Sequence, residues 1–162
     1  MSEHPLHDRR TFMGAGLGAA ALMTMLDSTK ADAAHHEEEN EFAAVEKANE
    51  KIVNEFCAAW ATMDTEKIGE HMADDCVFRM LENRPITEGK EAILGGTKTF
   101  LANAKSAEFE VLRSHAMGNI VINDRIDRFD TGGNKMVFHI VGIFYVADGK
   151  IKEWRDYSMP KV

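Results

Sequence analysis

The chain has 162 residues, 44% of them hydrophobic, and carries a formal net charge of −8. That length suffices for one domain with its own core and gives no reason to expect a second. An acidic chain without a basic stripe offers phosphate backbones nothing to neutralise, so nucleic acid is excluded as a partner class.

Residues 1–33 read as an address. Arg9-Arg10-Thr11-Phe12-Met13 precedes an apolar, glycine-rich run from Gly14 to Leu26, and a polar segment with Lys30 ends in Ala31-Asp32-Ala33. Paired arginines, a weakly hydrophobic stretch and an A-x-A site resemble a twin-arginine export signal, with Arg9, Arg10 and Phe12 as its motif. The resemblance implies folding in the cytoplasm, a precursor handled by the twin-arginine export machinery, and work in the periplasm or outside the cell. The apolar run falls well short of the ~20 residues that a bilayer span takes, so no permanent membrane anchor is expected. Residues 34–44 then form a flexible mature N-terminus. His35, His36 and Glu37 to Glu39 could hold a metal, but a solvated, mobile segment is the simpler reading.

The domain proper spans 45–162. From Glu41 to Trp60 the apolar positions Val45, Ala48, Ile52, Val53, Phe56 and Trp60 recur at three and four residues, which predicts an amphipathic helix lying across a sheet. Asp64 can cap a second helix, Thr65 to Met72, before Ala73-Asp74-Asp75 turns the chain into a strand from Cys76 to Leu81. Alternation in that strand puts Cys76, Phe78 and Met80 on one face. Pro85 marks a loop, and a third helix runs from Glu88 towards Ala104, weakened at Gly95-Gly96. A strand from Glu108 to His115 follows.

The stretch from Asn123 to Tyr157 holds three strand-like segments joined by Gly132-Gly133 and Asp148-Gly149, dipeptides that tolerate positive φ and so close hairpins. Residues two apart share a strand face, which sets Arg125, Asp127 and Phe129 together. In the middle strand Phe138, Ile140, Gly142 and Phe144 form one face and Val137, His139, Val141 and Ile143 the other. Both faces are mostly apolar, which predicts cover on both sides and hints at a homodimer burying the outer one. The last strand sets Ile151, Glu153, Arg155 and Tyr157 against Lys152, Trp154, Asp156 and Ser158. Asp156 therefore shares a face with Trp154 and points into an apolar interior.

Charges leave water only with partners, so a second carboxylate near an Arg-Asp pair in such an interior suggests chemistry. Burial raises both carboxylate pKa values, Arg125 lowers them, and mutual repulsion favours one retained proton. One acid and one base can then coexist near neutral pH. Cys57 and Cys76 lack zinc-finger and redox-motif spacing; they read as buried apolar residues, with a disulfide open only in an oxidising compartment. His71, His115 and His139 share no metal-ligand spacing, and no metal or cofactor is assigned.

The element order, two helices, a strand, a helix and then strands, has no βαβ alternation. The fold class is α+β, with about three helices packed on the concave side of a curved mixed sheet.

EKIVNEF followed by MDTEKIGEHMADDCVF, the strand DRID and the closing GIFYVADGKIKEWRDY resemble the limonene-1,2-epoxide hydrolase family, within the SnoaL-like and nuclear-transport-factor-2-like cone fold. The resemblance covers Glu46 to Tyr157. It implies a catalytic trio of Arg125, Asp127 and Asp156 that adds water to a small hydrophobic epoxide in one step without a cofactor: Asp156 deprotonates water, Asp127 protonates the epoxide oxygen, and Arg125 bridges them. The pocket implied around them is lined by Phe78, Met80, Phe129, Phe138, Ile140 and Trp154. The family's water-holding Tyr and Asn correspond here to Phe78 and Met80, neither of which can hydrogen-bond water; Asn83, in the loop beyond, is a candidate substitute. An isomerase or cyclase, or a small-ligand-binding protein of the same fold, is the alternative reading.

Overall fold

A computed structural model describes residues 40–80 and 84–159. Arg9, Arg10 and Phe12, with the rest of the expected export signal, and also Leu81 and Asn83, lie outside the described residues.

A helix over 40–59 (α1) leads into a 3₁₀ turn, Trp60–Thr62. Val53, Phe56 and Trp60 face the core as their spacing predicts, but Val45 and Ala48 are exposed, so the apolar stripe begins later than expected. Burial starts at Asn49, whose amide donates to the Gly118 carbonyl at 2.9 Å and ties the helix to the sheet. Asp64 caps α2 (Thr65–Gly69) as expected, accepting from the backbone N–H groups of Glu66 and Lys67.

The second helix does not reach Met72. It stops at Gly69, where a Cβ would lie 2.6 Å from Leu94 Cδ1, and strand β1 (Met72–Met80) begins at the residue where the helix was expected to end. Ala73-Asp74-Asp75 is not a turn but an irregularity within β1: the register shifts between Met72 and Val77, and Ala73 is buried while Asp74 is exposed. A short strand β2 (Thr87–Glu88) pairs with β1, and α3 (Lys90–Leu101) runs unbroken through Gly95-Gly96 because Ile93, Thr97 and Leu101 keep one side buried.

Four longer strands complete the sheet: β3 (Ser106–Met117), β4 (Ile120–Asp130), β5 (Lys135–Ala147) and β6 (Lys150–Ser158). Their order is β2-β1-β6-β5-β4-β3, antiparallel except for the parallel β1–β6 pair. The sheet is therefore mixed, and the two hairpin turns fall where expected, with Gly132 at φ 81 and Asp148 and Gly149 at φ 53 and 70. This is an α+β fold with a curved mixed sheet whose inner face packs against the helices: Phe56, Ile68 and Ile93 share one core with Phe109, Val121, Phe144 and Trp154.

One face assignment changes. Ile151 was expected opposite Trp154, but the register shift between Tyr145 and Val146 in the β5–β6 pairing inserts an extra residue, so Ile151, Trp154 and Asp156 are all buried on the inner face. Among the described residues, the helices pack against the inner face of the sheet, and Val137 and His139 on the outer face of β5 are exposed.

Candidate active site

Arg125 and Asp127 stand two apart on β4, and Asp156 stands on β6, with all of β5 between them. Adjacent strands lie about 4.8 Å apart, so joining the two sides takes a reach of roughly 9–10 Å. Arg125 supplies it. Its Nε donates to Asp127 Oδ1 at 2.8 Å, and its Nη2 donates to Asp127 Oδ2 at 3.2 Å and to Asp156 Oδ2 at 2.6 Å. Relative exposures are 0% for Arg125 and 4% for each aspartate, which makes this a desolvated ion cluster rather than a surface bridge.

The route runs over Gly142. Ser114, Asn123, Gly142, Asp156 and Met80 form one row across β3, β4, β5, β6 and β1. A Cβ on Gly142 would collide with Arg125 Nη1 and would lie 2.6 Å from Asn123 Oδ1. Glycine inside a strand marks a close approach, and here the approaching group is a guanidinium.

The remaining side of the guanidinium is also held. Nη1 donates to Asn123 Oδ1 at 3.1 Å, Asn123 Nδ2 donates to Cys57 Sγ on α1 at 3.3 Å, and the Arg125 Cζ lies 4.7 Å from the centre of the Phe109 ring. Both cysteines are free and buried, which matches the reading of them as apolar core residues. Burial pushes the Cys57 thiol up to about 12, so it remains neutral.

Burial pushes Asp127 up to about 6, against the pull of Arg125 and with help from the Asp156 charge. Asp156 is also raised by burial, opposed by Arg125 and by the Trp154 indole, whose Nε1 donates to Asp156 Oδ1 at 2.8 Å. Burial works to deprotonate Arg125, but the two carboxylates outweigh it and keep it a fixed cation. One guanidinium between two carboxylates leaves a single excess negative charge, which one proton neutralises. Chemically, such a cluster can hold one proton between its two carboxylates.

The expected lining residues divide by depth. Trp154 and Ile140 are buried, Phe78 lies over Trp154 with ring centres 4.1 Å apart, and Phe129 meets Phe100 and Phe109 at 4.8 and 6.0 Å. Met80 and Phe138 are more open, 50% and 41% exposed. Phe78 and Met80 pair in register with Trp154 and Asp156, so they flank the aspartate as the sequence correspondence implies. The aromatic wall also includes Trp60, stacked on Phe109 at 4.3 Å. Sequence reasoning missed Asn123, Gly142 and Cys57 as neighbours of the cluster. The first two share faces with Arg125 and Asp156 and were findable from alternation; Cys57, on a distant helix, carried no such signal.

A separate open cleft of about 730 Å³ lies elsewhere, lined in part by Glu55, His71, Asp74, Lys90, Lys150 and Lys152. None of the Arg125 cluster lines it, and its lysines are engaged: Lys90 with Asp74, Lys152 with Asp75, and Lys150 with the Glu70 carbonyl. Among the described residues no group of three or more His, Cys, Asp or Glu side chains is arranged to hold a metal ion.

A buried arginine bridging two carboxylates thus lies on the inner face of a curved α+β sheet. The SnoaL-like domain family matches residues 53–154, and the chain belongs to that family. It is 29% identical over 108 residues to the epoxide hydrolase EphG of Mycobacterium tuberculosis, a match covering 65% of this chain and 69% of that protein. Among solved structures, an M. tuberculosis LEH-like epoxide hydrolase superposes with a TM-score of 0.65 at 24% identity, over 70% of this chain and 84% of that one. A SnoaL-like polyketide cyclase from Jannaschia sp. CCS1 superposes with a TM-score of 0.61 at 17% identity, over 70% and 87%. Proteins named as hydrolases and as cyclases thus share this fold.

Proposed function

We propose that this chain is an exported epoxide hydrolase that adds water to a small hydrophobic, terpenoid or cyclic epoxide. The observation that carries the reading is the bridge from Arg125 to both buried aspartates, since function is argued from a site rather than from a fold. Water attacks one epoxide carbon as its proton passes to Asp156, the C–O bond breaks, and Asp127 delivers its proton to the leaving oxygen. The pair holds one proton before and after, and resetting needs only its return from Asp156 to Asp127. Acid and base terms of ~10²–10⁴ each are typical of such positioned groups. The aromatic wall supplies the apolar surface that a hydrocarbon epoxide would bury.

The experiment is incubation with a panel of terpene and cycloalkene epoxides in oxygen-18 water. Labelled diol from the parent, lost in Asp127→Asn and Asp156→Asn variants that remain folded, is the expected result. Unchanged turnover in either variant would sink the reading.

One observation favours a second reading. Phe78 and Met80 flank Asp156 without offering water a hydrogen bond, and the Trp154 indole already occupies one oxygen of that aspartate. A drier pair suits an isomerase or cyclase that moves protons within a ligand. Solvent deuterium entering product without oxygen-18 would select it.

The same proposal includes export and assembly. Arg9-Arg10 would direct the precursor through the twin-arginine route, and replacing both with Lys should retain the protein in the cytoplasm. A second copy would cover the outer sheet face.

A further inference from the structure

We infer that Asn123 is a positioning residue for the acid-base pair: anchored by Cys57, it holds Arg125 from the side away from the carboxylates, over Gly142, as a neutral third acceptor. The inference rests on the hydrolase reading only for its kinetic readout.

The two carboxylates engage Nε and Nη2 of Arg125, and the other end of the guanidinium, Nη1, goes to Asn123 Oδ1. Asn123 is 1% exposed, so no bulk water stands ready to replace it. Its amide has a defined sense. The NH₂ group donates to Cys57 Sγ, which turns the carbonyl oxygen towards Nη1; the opposite orientation would set two N–H donors against each other. Cys57 belongs to α1, so the helix itself sets the angle from which Arg125 is held.

Neutrality is the second half of the argument. Among the described residues, the titratable groups that act on Asp127 and Asp156 are each other, Arg125 from β4 and the neutral thiol of Cys57 from α1; their register neighbours from β3, β5 and β1, Phe109, Phe138, Gly142 and Met80, carry no charge. With Asn at 123 the cluster needs one proton to reach zero charge. With Asp it would need two, and the proton affinity of the pair would climb.

The test uses the full chain and three variants: Asn123→Asp, Asn123→Leu and Cys57→Ala. Aspartate carboxyl groups labelled with carbon-13 are titrated by NMR, and kcat and KM are measured separately for diol formation. Asn123→Asp is expected to raise the titration of the pair by about one pH unit or more. Asn123→Leu is expected to lower kcat about tenfold or more with KM held within about twofold, and Cys57→Ala to lower kcat about threefold in the same pattern. Parent-like titration in Asn123→Asp together with parent-like kcat in Asn123→Leu would overturn the inference. If the Asn123 variants fail to fold, Cys57→Ala decides alone, and parent-like kcat in it overturns the inference. A shifted titration with no diol from any epoxide would retain Asn123 as a positioning residue and reject the hydrolase reading instead.

Discussion

The guanidinium of Arg125 occupies the space that Gly142 leaves by having no side chain. A Cβ there would meet Nη1 of Arg125 directly and would lie 2.7 Å from the Phe144 ring, so neither the cation nor the ring has room to spare. The bridge from β4 to β6 thus depends on a residue of β5 that contributes no side-chain atom to it. Gly142→Ala is expected to destabilise the fold by about 1–3 kcal/mol through overpacking and to part Arg125 from Asp156. Urea denaturation and diol formation measure the two effects. Parent-like values in both would show that the guanidinium does not need this passage.

The raised carboxylates give stability a definite dependence on pH. Asp127 sits at about 6 when folded against an ordinary 3.8, chiefly because burial disfavours its charge, so the folded chain holds that proton more tightly than the unfolded chain does. Its contribution is complete below the ordinary value and is lost as pH rises through about 6. Asp156, raised for the same reason, adds in the same direction. Asp74 and Asp75, lowered by hydrogen bonds from Lys90 and Lys152, act oppositely but lie on the surface. The parent is therefore expected to lose on the order of 1–3 kcal/mol relative to Asp127→Asn between pH ~4 and pH ~7, read from urea midpoints at several pH values. Diol formation should decline across the same window as the pair gives up its shared proton. Parallel curves for parent and variant would contradict the shared-proton account.

Arg125, Asp127 and Asp156 were legible in two ways: alternation set Arg125 and Asp127 beside Phe129 and Asp156 beside Trp154, and the family resemblance joined them into one trio. The hairpins were legible through Asp148-Gly149 and Gly132-Gly133. What escaped were the irregularities. Alternation counts residues in twos, so an extra residue near Lys152 silently moved Ile151 to the other face, and the shift between Met72 and Val77 disguised the start of β1 as a turn. Contacts between distant segments escaped for another reason. Cys57 meets Asn123 across 66 positions of chain, and no local pattern encodes that meeting.

Trp154 and Phe78 raise the question of what orients water. The indole donates to Asp156 Oδ1 while Phe78 packs over it with ring centres 4.1 Å apart, so an aromatic pair stands beside the aspartate where the resembled family has hydrogen-bonding side chains. Trp154→Phe keeps the ring packing and removes one hydrogen bond, worth roughly 1 kcal/mol or somewhat more to a charged acceptor, so about a tenfold fall in kcat is expected. The double change Phe78→Tyr with Met80→Asn adds two candidate water partners next to Asp156 and should raise the rate of oxygen-18 incorporation by about ten- to a hundredfold. A lower rate in the double variant would mean that dryness at this position serves the reaction, favouring the isomerase or cyclase reading.

The outer face of the sheet exposes Met117, Ile120, Val137 and Tyr145, with Asp124 paired to His139 among them and Arg155 paired to Glu153 nearby. Exposed apolar side chains interleaved with paired polar ones make a candidate partner surface, and the proposed partner is a second copy, for which a stable interface buries about 1,200–2,000 Å² in all. The parent is expected to sediment as a dimer, and Val137→Glu or Ile120→Glu to shift it to a monomer by burying an unpaired charge. Because Arg125, Asp127 and Asp156 all belong to one chain and lie on the opposite face, turnover per chain in the dissociated variants should stay within about twofold of the parent where the monomer remains folded. A parent that sediments as a monomer at micromolar concentration would remove the second copy from the proposal, while a monomeric variant with lost turnover but retained fold would tie the buried pair to the assembly.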